Sequence, residues 1–223
     1  MPTAFARSAH AAGGDEIKIG LIGCGARGTL ATVQALSTAG PIKLWAMADA
    51  FANRLQESLR GLTAAQADRS DTAKHDGFSG QVDVPPERQF TGLDAYKQLI
   101  ASGVDVVIMA QPPGFRAEHF EAAVAANKHV FMEKPLATDA PSVHRILAAG
   151  EVAKAKGLKV GVGLQRRHDP HYVEIIKKLQ DGAIGKLICL RAYWDGGPPA
   201  KHYTPRGDRT EMQHQVHNWY FFT

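Results

Sequence analysis

Ile17-Lys18-Ile19-Gly20-Leu21-Ile22-Gly23-Cys24-Gly25-Ala26-Arg27-Gly28 is the stretch whose reading decides the fold. Ile17 to Ile22 is apolar enough for a buried strand. A Gly-x-Gly-x-x-Gly turn comes at once, and a helical pattern runs from Thr29 to Thr38. Strand, glycine turn and helix in that order give the motif its meaning. Gly23 permits the tight turn, Gly25 lets backbone approach a pyrophosphate, and Gly28 lets helix and strand pack closely. The amides at the helix N-terminus then face the phosphates. Cys24 fills space in this loop rather than acting as a nucleophile.

The chain onward repeats the alternation. Ile42 to Ala48 reads as a second strand that ends at Asp49. An acidic residue about twenty positions past the glycines is where an adenosine ribose is bound. Its charge would repel a 2′-phosphate, which favours NAD over NADP. Arg54, a turn onward, could offer a phosphate partner and keeps NADP open, and Asp49 could also simply cap the next helix. A helix is predicted over 50–67, a polar surface insertion over 68–87, a short strand over 88–91, and a helix from an Asp94 cap through Ala101. Val104 to Ala110 is a buried strand broken by Gln111-Pro112-Pro113-Gly114. That loop lies at the same sheet edge as the glycine turn. Either it is a plain strand-ending turn, or Gln111 and Pro112 line the nicotinamide side of a cofactor site. Further helices are predicted over 118–127 and 141–156, with a sixth strand over 158–163. Repeated strand–helix units predict a parallel, doubly wound α/β sheet.

Between the last two helices stands His129-Val130-Phe131-Met132-Glu133-Lys134-Pro135-Leu136-Ala137. Proline cannot continue a central strand, so this one ends at or before Lys134. Open α/β sheets bind ligands at the carboxyl ends of their strands. Lys134 there is either a solvated turn residue or a proton shuttle, since lysine pKa moves readily on burial.

Composition sets the outer limits. The 223 residues are 44% hydrophobic and 22% charged, with a net charge of +4. No run of like charge suggests a nucleic-acid tract, and no segment is apolar enough to span a membrane. Cys24 and Cys189 give neither a disulfide framework nor zinc spacing. His214 and His217 lack a third ligand, so no metal is expected. The start, residues 1–14, reads either as a featureless tail or as the end of an export signal cleaved near Ser8-Ala9-His10-Ala11-Ala12.

Together the Gly23–Gly28 turn, Asp49, the Pro112-Pro113 loop and Lys128-His129-Val130-Phe131-Met132-Glu133-Lys134-Pro135-Leu136-Ala137 resemble the Gfo/Idh/MocA oxidoreductases. The resemblance implies a Rossmann domain over 15–164 and the opening of an α+β substrate domain over 165–223. It implies a nicotinamide cofactor held by Gly23, Gly25, Ala26, Arg27, Gly28, Asp49, Arg54, Gln111, Pro112, Glu133 and Lys134. Lys134 is implied to be catalytic, with a cis Lys134–Pro135 bond. Arg166, in Gln165-Arg166-Arg167-His168-Asp169-Pro170, is implied to face the substrate. A helix over 170–181 carries Tyr172, Ile175, Ile176 and Leu179 on one face, and residues 186–194 are expected to begin a second sheet.

The activity implied is oxidation of a secondary hydroxyl of a sugar or polyol. The alternatives are redox-assisted glycoside cleavage with tightly held NAD, and a binding module without turnover. A full-length protein of this kind would be a homo-oligomer. The Ala-rich start resembles exported members with twin-arginine signals, so a longer parent would be periplasmic while the chain as given would stay in the cytoplasm. The chain reads as an N-terminal fragment, expected to turn over far more slowly than a complete homologue.

Overall fold

The computed structural model describes residues 16–64, 77–193, 195–196 and 203–222. The first fourteen residues, with their tail or signal-remnant readings, lie outside the described residues.

Six strands form one parallel sheet: β1 (Ile17–Ile22), β2 (Ile42–Asp49), β3 (Gln89–Thr91), β4 (Val106–Met109), β5 (His129–Met132) and β6 (Val160–Val162). Their order is β3-β2-β1-β4-β5-β6. Helices α1 (Ala26–Leu36) and α2 (Ala52–Thr63) pack on one face. On the other lie α3 (Ala95–Ala101), α4 (Arg116–Ala125) and α5 (Ala140–Ala155). The sequence spells this out through alternation. Leu44, Met47 and Ile108 point to the α1–α2 side, while Ala46, Ala48, Val107 and Met109 point to the other. A parallel sheet covered on both faces needs apolar residues at successive positions. The doubly wound Rossmann architecture expected from the sequence is therefore the one observed.

Local signals explain the element ends. α5 starts after Asp139, whose carboxylate accepts the Ser142 N–H at 2.7 Å, and Pro141 sits in its first turn. Both are favoured there because the first helical amides have no intrahelical partner. Asp94 does not behave in this way. It stands at the start of α3 with φ −90° and ψ 2°, not extended, and its side chain caps no amide. The carboxylate pairs with Lys97 at 2.7 Å instead.

Three further expectations need correction or trimming. The second helix ends at Thr63 rather than near residue 67, and residues 65–76 lie outside the described residues. The latter part of the supposed surface insertion is anchored, because Phe78 and Val84 are buried in the α1–α2 side of the core. Residues 186–193 form no strand. A strand must pair its amides with a neighbour, and no described strand lies beside this segment, which leaves Ile188 93% and Leu190 79% exposed. The described elements after β6 are helical: α6 (Pro170–Gln180), α7 (Glu211–His217) and α8 (Trp219–Phe222). Tyr172, Ile175 and Ile176 of α6 are exposed. Among the described residues no helix is long and apolar enough to cross a membrane.

His119, on the inner face of α4, is buried and stacked on Tyr96 of α3, with ring centroids 3.9 Å apart. Burial first, and then the nearby Arg116 charge, lowers its pKa from 6.5 to about 4. Between those values the unfolded chain binds a proton that the folded chain refuses, so stability falls as pH drops through the window. A shift of this size corresponds to roughly 3 kcal/mol. Urea midpoints at pH 7 and pH 4.5 are expected to fall less for His119→Gln than for the unsubstituted chain. Equal falls would remove His119 as the source.

Candidate functional site

The strand order reverses between β1 and β4, so the connections leaving their carboxyl ends run to opposite faces and open a crevice. Such switch points are where ligands bind in open α/β sheets. Here the crevice is a cleft of about 450 Å³.

The three glycines of the loop beneath it stand in three different situations. Gly23 has φ 91°, a left-handed torsion that side chains disfavour, and a Cβ on it would meet the Gln111 backbone nitrogen at 2.4 Å. A Cβ on Gly28 would stand 1.9 Å from the Gly23 carbonyl oxygen. These two are demanded by the fold. Gly25 is different: its φ of −73° suits any residue, and a Cβ there would meet nothing within 4 Å. It lines the cleft as the residue preceding α1, where amides have no intrahelical acceptor. Nothing inside the chain requires glycine at this position, and the room left by its missing side chain opens on the cleft. A phosphate at bare backbone before a helix N-terminus fits that room.

Asp49 closes the next side. Its Oδ2 accepts the Cys24 N–H at 2.7 Å and its Oδ1 accepts the Phe51 N–H at 2.9 Å. The carboxylate thus ties the end of β2 to the glycine loop and to the start of α2, which is preceded by Phe51 rather than by Asp49. Burial pushes its pKa up, and the Phe51 and Cys24 amides and the Arg54 charge pull it back. Each oxygen keeps a second lone-pair direction for a ligand hydroxyl. The Cys24 thiol is buried and its pKa is raised, by burial first and then by Asp49, which suits a space filler.

Gly23, Gly25, Ala26, Arg27, Gly28, Asp49, Arg54, Gln111 and Pro112 all line the cleft. Gln111 is buried and both polar atoms of its side chain lack a partner. Glu133, Lys134 and Arg166 stand outside the lining. The Glu133 carboxylate turns inward to Arg27, accepting its Nε–H at 2.8 Å. A Cβ on Gly163, just past β6, would meet that carboxylate at 2.6 Å. Lys134 is exposed on the turn after β5, and its peptide bond to Pro135 is cis. Arg166 donates to the Tyr172 hydroxyl at 3.1 Å, away from the cleft.

The structure adds residues that no local motif signalled. Leu93, Tyr96, Phe115 and His119 come from the α3–α4 face, and Val216, His217 and Trp219 come from the last helices. His217 meets Phe51 edge-on, with centroids 5.9 Å apart. His214 instead bonds the Tyr203 hydroxyl through Nε2 at 2.8 Å. Among the described residues no cluster of three or more metal-ligating side chains occurs.

Residues 17–164 match a family described as an oxidoreductase family with an NAD-binding Rossmann fold, Gfo/Idh/MocA. The chain belongs to the Gfo/Idh/MocA oxidoreductases. Among its relatives, inositol 2-dehydrogenase of Gluconacetobacter diazotrophicus is 35% identical over 130 residues, 56% of this chain and 38% of that protein. The scyllo-inositol 2-dehydrogenase (NAD(+)) of Bacillus subtilis is 34% identical over 110 residues, 48% of this chain and 31% of that one. Apo scyllo-inositol dehydrogenase from Lactobacillus casei superposes with a TM-score of 0.57 at 25% identity, over 77% of this chain and 43% of its own. A 3-ketoreductase from Actinomadura kijaniata, solved with NADP and TDP-benzene, gives a TM-score of 0.53 at 26% identity, over 77% and 44%. The Gfo/Idh/MocA chain described here therefore spans under half the length of these relatives.

The glycines make a paired prediction. Gly28→Ala forces a methyl group into backbone and is expected to cost at least about 3 kcal/mol of stability. Gly25→Ala is expected to stay within about 1 kcal/mol, since its torsion suits alanine. Urea denaturation of both variants checks this, and a Gly25→Ala loss as large as that of Gly28→Ala would refute the distinction.

Proposed function

We propose that this chain carries the cofactor-binding part of an NAD(P)-dependent oxidoreductase that acts on a secondary hydroxyl of a cyclic polyol or sugar. The observation that carries the reading is Gly25, a glycine that the fold does not need, at the head of a cleft lined by a helix start and a carboxylate. In this reading residues 15–164 form the cofactor domain and 165–223 open the substrate domain. The family membership and the inositol dehydrogenases among the relatives support the substrate class.

Bound nicotinamide would supply the hydride acceptor. The residues of this chain would do the rest. Amides at the start of α1 would hold the pyrophosphate, and Asp49 would accept hydrogen bonds from the ribose hydroxyls. The Asp49 charge disfavours a 2′-phosphate, so NAD is the proposed cofactor, while Arg54 in the same lining is the group that would serve NADP. Gln111 and Pro112 would flank the nicotinamide end. Lys134, on the turn after the neighbouring strand, would take the hydroxyl proton, and Arg166 would have to leave Tyr172 to reach the substrate. Self-association of the full-length protein belongs to the same reading.

Calorimetry is expected to show NAD bound more tightly than NADP. Gly25→Ala should weaken NAD at least tenfold without loss of fold. Asp49→Asn should weaken NAD about tenfold or more, the worth of a charged hydrogen bond, and narrow the gap to NADP. Equal NAD affinity in all three proteins would reject the site. In the full-length gene product, Lys134→Met should lower NADH formation from inositols and sugars by about a hundredfold or more, as expected for loss of a general base. An unchanged rate would remove Lys134 from the reaction.

A further inference from the structure

Arg116 is the first residue of α4 and is 1% exposed. Burying a guanidinium costs several kcal/mol unless its donors are satisfied. Here the two terminal nitrogens are met by backbone, while Nε has no hydrogen-bond partner among the described residues. One terminal nitrogen donates to the carbonyls of Glu133 and of Pro135, the latter at 3.0 Å, and the other donates to the carbonyl of Gln111. Burial lowers the pKa of Arg116 to about 10, with Glu133 acting in the opposite sense, so it stays charged at neutral pH.

The placing of these three carbonyls is informative. The β4–β5 ladder runs out at Met109 and Met132, with one last bond from the Glu133 N–H to the Met109 carbonyl at 2.9 Å. Beyond it the two strand ends enter separate loops. One loop gives Gln111 and Pro112 to the cleft wall. The other carries Lys134. Arg116 bonds both loops at once and so continues the cross-link past the end of the ladder. Two of its three acceptors, the Glu133 and Pro135 carbonyls, flank Lys134 in the chain. The planar fork of guanidinium fixes the directions of several donors together, which a lysine ammonium does not. An aliphatic side chain would fill the same volume without the desolvation cost.

We infer that Arg116 is a positioning residue, which sets the Lys134 turn against the Gln111–Pro112 wall and so fixes where the Lys134 amine stands beside the cleft. This rests on the reading of the cleft as a nicotinamide site with Lys134 at its edge. Arg116 itself touches neither cofactor nor substrate in this assignment.

The test separates the two layers. NAD affinity is measured by calorimetry for the unsubstituted chain, Arg116→Lys and Arg116→Ala. Acetylation of Lys134 by limiting acetic anhydride, with and without saturating NAD, is followed by mass spectrometry against the exposed Lys178 as internal reference. In the unsubstituted chain NAD is expected to slow Lys134 labelling at least fivefold relative to Lys178. Arg116→Lys and Arg116→Ala are expected to bind NAD within about threefold of the original while protection of Lys134 falls below twofold. Guanidinium at millimolar concentration should restore protection in Arg116→Ala and not in Arg116→Lys, where the cavity is filled. A merely structural role would lower NAD affinity and thermal stability together and would give no selective recovery at Lys134. Protection kept in both variants overturns the assignment, and protection kept in Arg116→Lys alone overturns it if Arg116→Ala does not fold. No NAD binding by the unsubstituted chain, or binding that leaves its Lys134 unprotected, overturns the underlying site reading and the assignment with it.

Discussion

A methyl group on Gly28 would sit 1.9 Å from the Gly23 oxygen, and one on Gly23 would sit 2.4 Å from the Gln111 nitrogen. Three backbones meet at this point: the turn after β1, the first turn of α1 and the loop after β4. Their approach is limited only by main-chain atoms, which is what allows a helix to start directly above the strand ends. Everything that lines the cleft is placed relative to that junction. Asp49 is fastened to it through the Cys24 amide, and Gln111 is part of it. A fold that relaxed this contact would separate the helix start from the carboxylate, and the cleft would lose the juxtaposition of amides and acid that gives it its chemistry.

The Rossmann half was legible in the sequence because its signals are local. A strand, a glycine turn and a helix start occupy consecutive residues from Ile17 onward, and Asp49 ends the next apolar run. The role expected of Lys134 on the turn after β5 rested on a resemblance alone, because no spacing rule tells a catalytic lysine from a solvated one. Tyr96, His119, His217 and Trp219 escaped notice because they reach the cleft from separate elements, and each alone looks like an ordinary core or surface residue. Arg116 escaped for a related reason. An arginine opening a helix reads as solvated until three carbonyls from two other loops are seen around it. The segment 186–193 failed in the other direction: its pattern suits a strand, but a strand exists only where a neighbour pairs with it.

Charge is distributed around the strand ends by function of depth. Arg116 is fully buried and bonded to neutral carbonyls, so it acts through direction. Arg27 is partly exposed and meets Glu133 at 2.6 Å, joining the glycine loop to the turn that carries Lys134. Surface pairs such as Arg145–Glu121 join α5 to α4 at the protein's exterior and add little to stability in water. Cations thus reach the Lys134 turn from two sides, one gripping its backbone and one its carboxylate.

Gly163 shows what that grip imposes on a distant strand. Its own torsion is not left-handed, so backbone geometry would permit any residue. What excludes a side chain is the Glu133 carboxylate, 2.6 Å from where a Cβ would stand. That carboxylate cannot swing aside without leaving Arg27. Bulk at 163 therefore needs a shorter acid or none at 133, whereas a change at 133 asks nothing of Gly163. The small residue just past the edge strand is thus set by a charge on the neighbouring strand end, and not by its own backbone.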